Sequence, residues 1–323
     1  MATDELKSRP GCQIAYRSFN RGASKGTVLI PTCFSGRIDK TRNFTSGALK
    51  DYHVIVVAML GNGESSSPSN DINFPSDYSL RYEDCINSQY ALLTQHLGVR
   101  GLEAVIGFSM GGQQAYHWAV MHGSGSNPFV KTAVVICGSA KTSGLNYAFL
   151  EGPTAALLAS RDYDQGRYKQ NGVKPTEGLR AFGRVYAAWV PSAEWFRQEL
   201  WRKSGAQSVH EWMNPPIGTS SYEDWDPEDL LTMARMWQAG DVGIVAGGVD
   251  YKQALAGITA RVLVMPCETD QYFSAEDGKT EVEYLRHGVY RPISSVWGHM
   301  AGAGVDPADA DWMDERISEF LEG

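Results

Sequence analysis

One short stretch, residues 104–113, constrains the fold of this chain more than any other. An apolar run leads into the pattern Gly-x-Ser-x-Gly, and an alanine-rich helical pattern follows at once. A turn this tight forces an unusual backbone conformation on Ser109, and strand and helix can approach only where glycine leaves no Cβ to clash. Gly107 and Gly111 occupy those positions. The stretch therefore predicts a strand–turn–helix that lifts the Ser109 hydroxyl above the end of a strand.

Such a turn is a nucleophile elbow when its serine attacks a substrate. The bare pattern Gly-x-Ser-x-Gly occurs by chance in many proteins, so an incidental serine in a glycine-rich turn is the alternative interpretation. The apolar run before the turn and the helical pattern after it favour the elbow.

Buried strands alternate with helices along the rest of the chain. This pattern predicts an α/β fold with a mostly parallel central sheet and helices on both faces. β-branched apolar runs mark the strands, and apolar residues at helical spacing mark the helices. The predicted strands span residues 13–19, 27–31, 53–59, 104–108, 130–137, 260–266 and 293–296, and the predicted helices of the core span 82–97, 110–121, 274–286 and 308–321.

The central part of the chain has a different pattern. Between residues 139 and 257 strand-like runs are rare, helical segments dominate, and six of the nine tryptophans occur: Trp189, Trp195, Trp201, Trp212, Trp225 and Trp237. We expect a helical cap over 139–257, inserted in a core of residues 1–138 and 258–323. These rings either line an apolar acyl or ring pocket or fill the cap's own core and its contact with a second subunit. The general tendency of large aromatics to be buried favours the second interpretation for any single tryptophan.

Composition narrows the classes of function. The 323 residues carry a net charge of −8 with scattered basic residues, which argues against a nucleic-acid partner. The amino-terminal residues lack the basic-then-apolar pattern of a secretion signal, and no apolar run approaches the length of a membrane span. The five scattered cysteines fit free thiols in a reducing compartment, so we expect a cytoplasmic protein without a membrane partner.

Metal and phosphate sites have little support in the sequence. His117 and His122 are five residues apart, not the four that place two ligands on one helix face, and no H-E-x-x-H motif is present. The glycine-rich residues 240–248 lack the Lys-Ser/Thr and the preceding strand of a phosphate loop. We therefore expect no metal and no bound cofactor.

Three residues that can cooperate in acyl chemistry each follow a predicted strand: Ser109, Asp270 and His299. Because the carboxyl ends of parallel strands meet at one edge of a sheet, we expect these side chains to converge there. His299 would take the proton of Ser109 and return it to the leaving group, while Asp270 would fix the tautomer of the imidazole. Glu268 is the second candidate for the acid. The structural alternatives are a helix N-cap for Asp270 and a loop histidine for His299.

The order serine, acid, histidine is that of enzymes with the α/β-hydrolase fold, which the chain resembles. In that fold two backbone N–H groups bind the oxyanion that forms during acyl transfer. Here they would belong to Met110, directly after the serine, and to Phe34, in the loop after strand 27–31. For Phe34 an ordinary strand-to-loop turn is an equal alternative.

Within this fold the chain is similar to the homoserine O-acetyltransferase branch. The similar segments are residues 106–113, 118–119, 133–140, 146–149, 241–255, 260–270 and 298–299. The resemblance implies the same triad, the same oxyanion donors and a homodimer joined through cap helices.

Two positions depart from that branch. Members that acylate homoserine carry an arginine for the substrate carboxylate where this chain has Thr154, and an aspartate for the substrate amine where it has Met300. A threonine cannot form a bidentate carboxylate clamp, and methionine is apolar. We therefore expect the same catalytic residues with a more apolar substrate, with Thr154 and Met300 at substrate-binding positions.

These residues favour a serine hydrolase that cleaves an ester or related acyl bond of a small, largely apolar metabolite through an acyl-Ser109 intermediate. An O-acyltransferase that uses acetyl-CoA or another acyl donor as co-substrate would need the same residues. It would differ in excluding water and in binding an acceptor hydroxyl. A non-catalytic, ligand-binding member of the fold is the third alternative, which an intact triad disfavours.

Overall fold

The β-branched runs of the sequence assemble into one eight-stranded sheet in the structure, a computed structural model that describes residues 3–5, 12–214 and 222–323. Its strands are β1 Thr3–Glu5, β2 Gln13–Phe19, β3 Thr27–Pro31, β4 His53–Val57, β5 Leu102–Phe108, β6 Val130–Ile136, β7 Arg261–Met265 and β8 Gly288–Tyr290. Their order across the sheet is β1-β2-β4-β3-β5-β6-β7-β8. β2 pairs antiparallel with β1 and β4, and the other strands pair in parallel. The predicted mostly parallel sheet is thus confirmed.

The last predicted strand is wrong. Residues 293–296 form no strand, and Ile293 makes only an isolated bridge with Cys267. The strand that pairs with β7 is the short β8, which precedes residues 293–296 in the sequence. Beyond β8 the N–H groups of Arg291 and Ile293 still donate to the carbonyls of Val264 and Pro266, so contact with the end of β7 continues only as far as this bridge. The three residues of β8 are all half-buried and begin with glycine, so they give no apolar run to detect.

Thirteen α-helices occur in the described residues. They are α1 Tyr82–Ala91, α2 Met110–His122, α3 Gly144–Leu158, α4 Tyr168–Asn171, α5 Thr176–Ala187, α6 Ala193–Arg197, α7 Val209–Trp212, α8 Pro227–Gln238, α9 Val242–Val245, α10 Tyr251–Gly257, α11 Ala275–Tyr284, α12 His299–Gly302 and α13 Pro307–Glu322. The predicted helix 82–97 is α1 followed by a π-helical turn, Leu92–His96. None of the helices in the described ranges is long and apolar enough to cross a membrane. Residues 1, 2 and 6, on which the expectation about a secretion signal partly rests, lie outside those ranges.

Both faces of the sheet are covered because successive strand residues point in opposite directions. On β3, Leu29 packs in a core formed with α1 and α2. Its neighbour Ile30 packs on the other face, in a core that includes Met313 and Ile317 of α13. The carboxyl ends of the central parallel strands are left free between these layers.

Helices α3 to α10 lie between β6 and β7, where the sequence predicts a cap. Helices α9 and α10 contact α2 of the core, so the last part of the predicted insertion packs on the core layer. Cap residues such as Phe182 and Trp237 belong to the same continuous core as Leu29 of the sheet. A separate small cluster contains Trp195, Trp201 and Trp212, which are buried mainly against other cap residues.

A buried carboxyl on α11 holds the segment that leaves β6. Glu281 is 3% exposed, and its Oε1 accepts a hydrogen bond of 2.7 Å from the backbone N–H of Ala140. Its Oε2 is buried and has no partner among the described residues. Burial raises the pKa of Glu281 to about 8, so the folded protein holds it protonated at neutral pH.

We expect this carboxyl to make folding stability depend on pH. The unfolded chain ionises near the ordinary value of 4.5 and the folded chain near 8, so stability is lost as the pH rises between the two values. Glu281→Gln, which stays neutral, should remove that loss. Its free energy of unfolding relative to the wild type should rise by on the order of 2–4 kcal/mol from pH 5 to pH 9 in urea titrations. Glu283→Gln, an exposed change on the same helix, is the matched control, and an equal effect of the two changes would contradict the prediction.

Candidate active site

The elbow positions Ser109 at the carboxyl end of β5. The residue has φ 57° and ψ −124°, outside the regions that non-glycine residues favour. Its N–H donates to the carbonyl of Ile136 on β6 at 2.9 Å, which fixes the turn to the sheet. A Cβ on Gly107 would lie 1.9 Å from the carbonyl oxygen of Gly111, and one on Gly111 would lie 2.7 Å from that of Pro31. Glycine is therefore required at both flanking positions.

Asp270 follows β7 in a turn that presents its carboxylate to the same edge. Its Oδ1 accepts hydrogen bonds of 3.1 Å from the backbone N–H groups of Tyr272 and Phe273. The side chain of Asp270 is fully buried. The backbone bonds hold one oxygen in place and leave Oδ2 for another partner.

His299 begins α12, directly after a strained glycine. Gly298 has φ +60°, and a Cβ there would lie 2.7 Å from the carbonyl oxygen of Val190. His299 donates its backbone N–H to that same carbonyl at 2.9 Å. The imidazole lies against the ring of Phe273, with centroids 5.4 Å apart and planes 18° apart. These contacts fix both the backbone and the plane of the ring.

The side chains of Asp270 and His299 contact each other directly. His299 Nδ1 lies 2.6 Å from Asp270 Oδ2, and both side chains are buried. A carboxylate beside Nδ1 stabilises the tautomer with its proton there, which leaves Nε2 as an acceptor. Glu268, the second candidate for the acid, is exposed and is not hydrogen-bonded to the histidine.

Ser109 and His299 line one cavity of about 360 Å³. In the described part of the chain no hydrogen bond reaches the Ser109 hydroxyl, so the serine and the histidine share the cavity without being bonded. Nucleophile–base bonds are often loose in ligand-free enzymes and tighten when substrate binds.

The backbone N–H groups of Met110 and Phe34, the predicted oxyanion donors, have no acceptor among the described residues. Met110 is the first residue of α2, so its N–H has no acceptor within the helix. Phe34 lies in the loop after β3 and also lines the cavity. Neither N–H donates to any acceptor in the described ranges. The ring of Phe34 stacks on Tyr186 of the cap, with centroids 5.4 Å apart, which holds the loop in place.

The wall of the cavity is apolar and aromatic. Besides Ser109, His299 and Phe34 it consists of Cys33, Ser35, Phe108, Tyr186, Ala187, Val190, Trp212, Tyr222, Tyr272, Met300, Ala303 and Val305. Burial raises the pKa of the Cys33 thiol to about 12, so it stays protonated and does not compete with Ser109 as a nucleophile. Burial likewise keeps the phenols of Tyr186 and Tyr272 neutral by raising their pKa.

The two substrate positions inferred from the resemblance are not equivalent. Met300 lines the cavity. Thr154 is 2% exposed, on the buried side of α3, and is not part of the cavity wall. Its hydroxyl is buried and has no hydrogen-bond partner among the described residues.

Several wall residues were not found from the sequence. Tyr186, Val190, Trp212 and Tyr222 come from the cap, and no motif identifies them. Tyr272 could have been found, since it lies two residues after the acid.

A cap turn, residues 188–192, is fastened to the loops that carry the acid and the histidine. Gln271 Nε2 donates to the carbonyl of Pro191 at 2.5 Å, directly beside Asp270. The Ser192 hydroxyl donates to the carbonyl of Val296 at 2.5 Å, close to His299. Gln271 Nε2 also lies 3.4 Å from the carbonyl oxygens of Ala188 and Trp189. Together with the bond from His299 N–H to Val190, these contacts join the turn to the loops of Asp270 and His299.

One group of potential metal ligands occurs in the described residues. Cys137 Sγ and one possible ligand atom each of Asp270 and His299 all lie within 4.8 Å of one another. The side chains of Asp270 and His299 are already hydrogen-bonded to each other. Burial raises the pKa of the Cys137 thiol well above its ordinary value. This group therefore fits a protonated thiol packed behind a hydrogen-bonded pair better than a metal centre.

The chain belongs to the alpha/beta hydrolase fold family, whose profile matches residues 26–203. An ethyl acetate hydrolase of Pseudomonas veronii is 31% identical to it, over 98% of this chain and 92% of the relative. The solved structure of the acetyl esterase MekB superposes with a TM-score of 0.89 at 31% identity, covering 99% of this chain and 95% of that one. The homoserine O-succinyltransferase of Cupriavidus taiwanensis is 28% identical, over 74% of this chain and 63% of the relative. The predicted fold and the resemblance to the homoserine branch are thereby confirmed.

Proposed function

We propose that this protein is a serine esterase that hydrolyses small, neutral carboxylic esters. The observation that carries the proposal is the pair His299–Asp270, joined at 2.6 Å, on the wall of the cavity that contains Ser109. Similarity over nearly the whole chain to an ethyl acetate hydrolase and to an acetyl esterase supports the same reaction.

The residues would act in two steps. In the first, His299 Nε2 takes the Ser109 proton while Oγ attacks the ester carbonyl. The N–H groups of Met110 and Phe34 bind the oxyanion, a contribution of about 3 kcal/mol for each donor. The C–O bond to the alcohol then breaks, and His299 gives its proton to the leaving alcohol.

In the second step water replaces the alcohol. His299 takes a proton from that water, whose oxygen attacks the acyl-Ser109 carbonyl, and the proton returns to the Ser109 oxygen as the acyl bond breaks. The products are one alcohol and one carboxylic acid, which ionises at neutral pH. Asp270 stabilises the imidazolium that forms in each step.

The cavity supports a neutral substrate. Among the described residues its wall holds no arginine or lysine for a substrate carboxylate, and His299 and the neighbouring Asp270 are hydrogen-bonded to each other. Met300 contributes an apolar surface directly after the histidine. A zwitterionic amino acid would lose its hydration there without gaining a partner, whereas a short ester would bury apolar surface.

Assays with esters and with acetyl-CoA test the proposal. The purified protein is given ethyl acetate in a pH-stat and p-nitrophenyl acetate and butyrate in a colorimetric assay. Separately it is given acetyl-CoA with and without small alcohols, and thiol release is followed. We expect saturable ester hydrolysis and no thiol release that depends on the alcohol.

The alternatives give other results. Thiol release that requires an alcohol, without ester hydrolysis, would indicate the O-acyltransferase. Absence of both activities, together with no labelling of Ser109 by a fluorophosphonate probe, would indicate a non-catalytic binding protein.

We further infer a homodimer through the cap. The outer face of α3 is apolar, with Leu145, Tyr147 and Leu158 between 40% and 49% exposed. Its charged residue, Glu151, is paired with Arg235. Such a face is suited to contact with a second copy of itself. The five cysteines form no disulfide among the described residues, which fits the cytoplasmic location expected from the sequence.

Changing this face should separate the subunits. Leu158→Glu places a charge in the inferred contact, and we expect sedimentation velocity to show a monomer where the wild type is a dimer. Ile244→Glu changes an exposed apolar residue on α9, outside the α3 face, and should leave the dimer intact. A wild-type protein that sediments as a monomer at micromolar concentration would contradict the inference.

A further inference from the structure

A second, smaller pocket of about 100 Å³ lies behind the wall of the catalytic cavity. It is on the α13 side of the sheet, at the ends of β3, β5 and β6, and is lined by Ile30, Pro31, Cys33, Gly36, Lys40, Thr41, Arg42, Phe44, Ile106, Phe108, Ile136, Gly302 and Ala303. Three of these residues, Cys33, Phe108 and Ala303, also line the catalytic cavity. The two spaces are therefore neighbours with a common wall.

Arg42 gives the small pocket a positive charge that forms no ion pair with the described residues. Its guanidinium lies over the ring of Phe44, 4.8 Å from the centroid, and Nη2 donates to the carbonyl of Ala310 at 3.1 Å. Nε is buried and has no hydrogen-bond partner in the described ranges. Within those ranges no carboxylate forms an ion pair with Arg42, and the pocket lining contains Lys40 but no acidic residue.

Arg42 as a whole is half-buried, but its unpaired Nε–H is buried, which is costly and favours a ligand that can accept from it. Carboxylates suit a guanidinium because their two oxygens match its fork of donors. The rest of the lining is mostly apolar and would hold a short alkyl group. Since a cavity of about 150 Å³ can hold benzene, one of about 100 Å³ suits a ligand the size of acetate or propionate.

We propose that this small pocket is a binding site for a short-chain carboxylate, with Arg42 as its counter-ion. The proposal deepens the proposed function, since ester hydrolysis releases such an anion in the adjoining cavity. A neutral ester gains little from Arg42, whereas the product anion gains a charge-assisted hydrogen bond. The pocket therefore discriminates product from substrate and would make the enzyme sensitive to accumulated carboxylate.

Acetate is the probe. Its affinity is measured by saturation-transfer NMR and calorimetry on the Ser109→Ala protein, which cannot turn over substrate, at constant ionic strength with chloride as the replacement anion. Inhibition of ester hydrolysis by acetate is measured on the protein with Ser109 intact. We expect Arg42→Met to weaken acetate binding at least 10-fold in the first experiment and to raise the inhibition constant by a similar factor in the second.

Arg37→Met is the matched control. Arg37 lies in the same loop, with its guanidinium over Trp225, and does not line the small pocket. We expect its acetate affinity to equal that of the unchanged protein. If Arg42→Met does not fold, Arg42→Lys keeps the charge but loses the fork, and should weaken binding several-fold.

Several outcomes would overturn the proposal. They are acetate binding that Arg42→Met leaves unchanged, equal weakening by Arg42→Met and Arg37→Met, and no detectable binding of acetate by Ser109→Ala. Because that binding experiment needs no hydrolysis, failure of the proposed esterase activity and failure of the carboxylate site are distinguishable.

Discussion

Ser109→Ala should reduce kcat for ester hydrolysis by about 10⁴- to 10⁶-fold, because no other nucleophile is positioned at the elbow. The hydroxyl takes no part in hydrogen bonding among the described residues, so its loss leaves the packing of the elbow intact. The variant should therefore unfold at a temperature close to that of the wild type. Stopped assays with high enzyme concentration, and a fluorophosphonate probe, measure the loss directly.

Ser139→Ala is the matched control for the loss of a buried serine hydroxyl. Ser139 is also buried, lies in the loop after the neighbouring strand and is not part of the cavity wall. Its hydroxyl has no partner in the described part of the protein, as for Ser109. Ser139→Ala should keep activity within about 2-fold of the wild type. Full activity of Ser109→Ala would remove the basis of the proposed mechanism.

Asp270→Asn should reduce kcat by about 10⁴-fold while KM changes little. The amide nitrogen would face His299 Nδ1 as a donor, so the ring would place its proton on Nε2 and could no longer accept one from Ser109. The backbone bonds from Tyr272 and Phe273 to the other oxygen remain available, so the turn should keep its shape. Steady-state kinetics on a soluble ester separate kcat from KM.

The competing acid provides the control for this prediction. Glu268 is exposed and lies two residues before Asp270 on the same loop. Glu268→Gln removes the same charge and should leave kcat within about 2-fold of the wild type. A large loss in Glu268→Gln together with an active Asp270→Asn would reassign the acid.

The candidate site could be predicted from the sequence where local chemistry and chain topology coincide. Ser109 lies between Gly107 and Gly111, and His299 follows Gly298, three positions where a Cβ would clash with the backbone. Asp270 follows a strand with an apolar run that marks it in the sequence. Such patterns involve only a few neighbouring residues, so they can be recognised in the sequence. The strands from β2 to β7 could be predicted for the same reason.

What the sequence did not identify depends on contacts between distant segments. Thr154 matches a substrate position by alignment with the homoserine branch, but the orientation of α3 turns it into the core. Tyr186 and Trp212 reach the cavity through packing of the cap, which no short motif records. The strand β8 was missed because its side chains are only half-buried.

The attachment of residues 188–192 limits how ligands travel. A cap that swung away as a hinged lid would pull on His299 through Val190 and on the loop of Asp270 through Gln271, and so would disturb the hydrogen-bonded pair on which the proposed mechanism depends. Substrate and products would instead enter and leave through a cavity opening of nearly constant width, while Ser109, His299 and Asp270 keep their arrangement. Selection among esters would then depend on the cross-section of the substrate at that opening, and movement of the cap would not limit the rate of turnover.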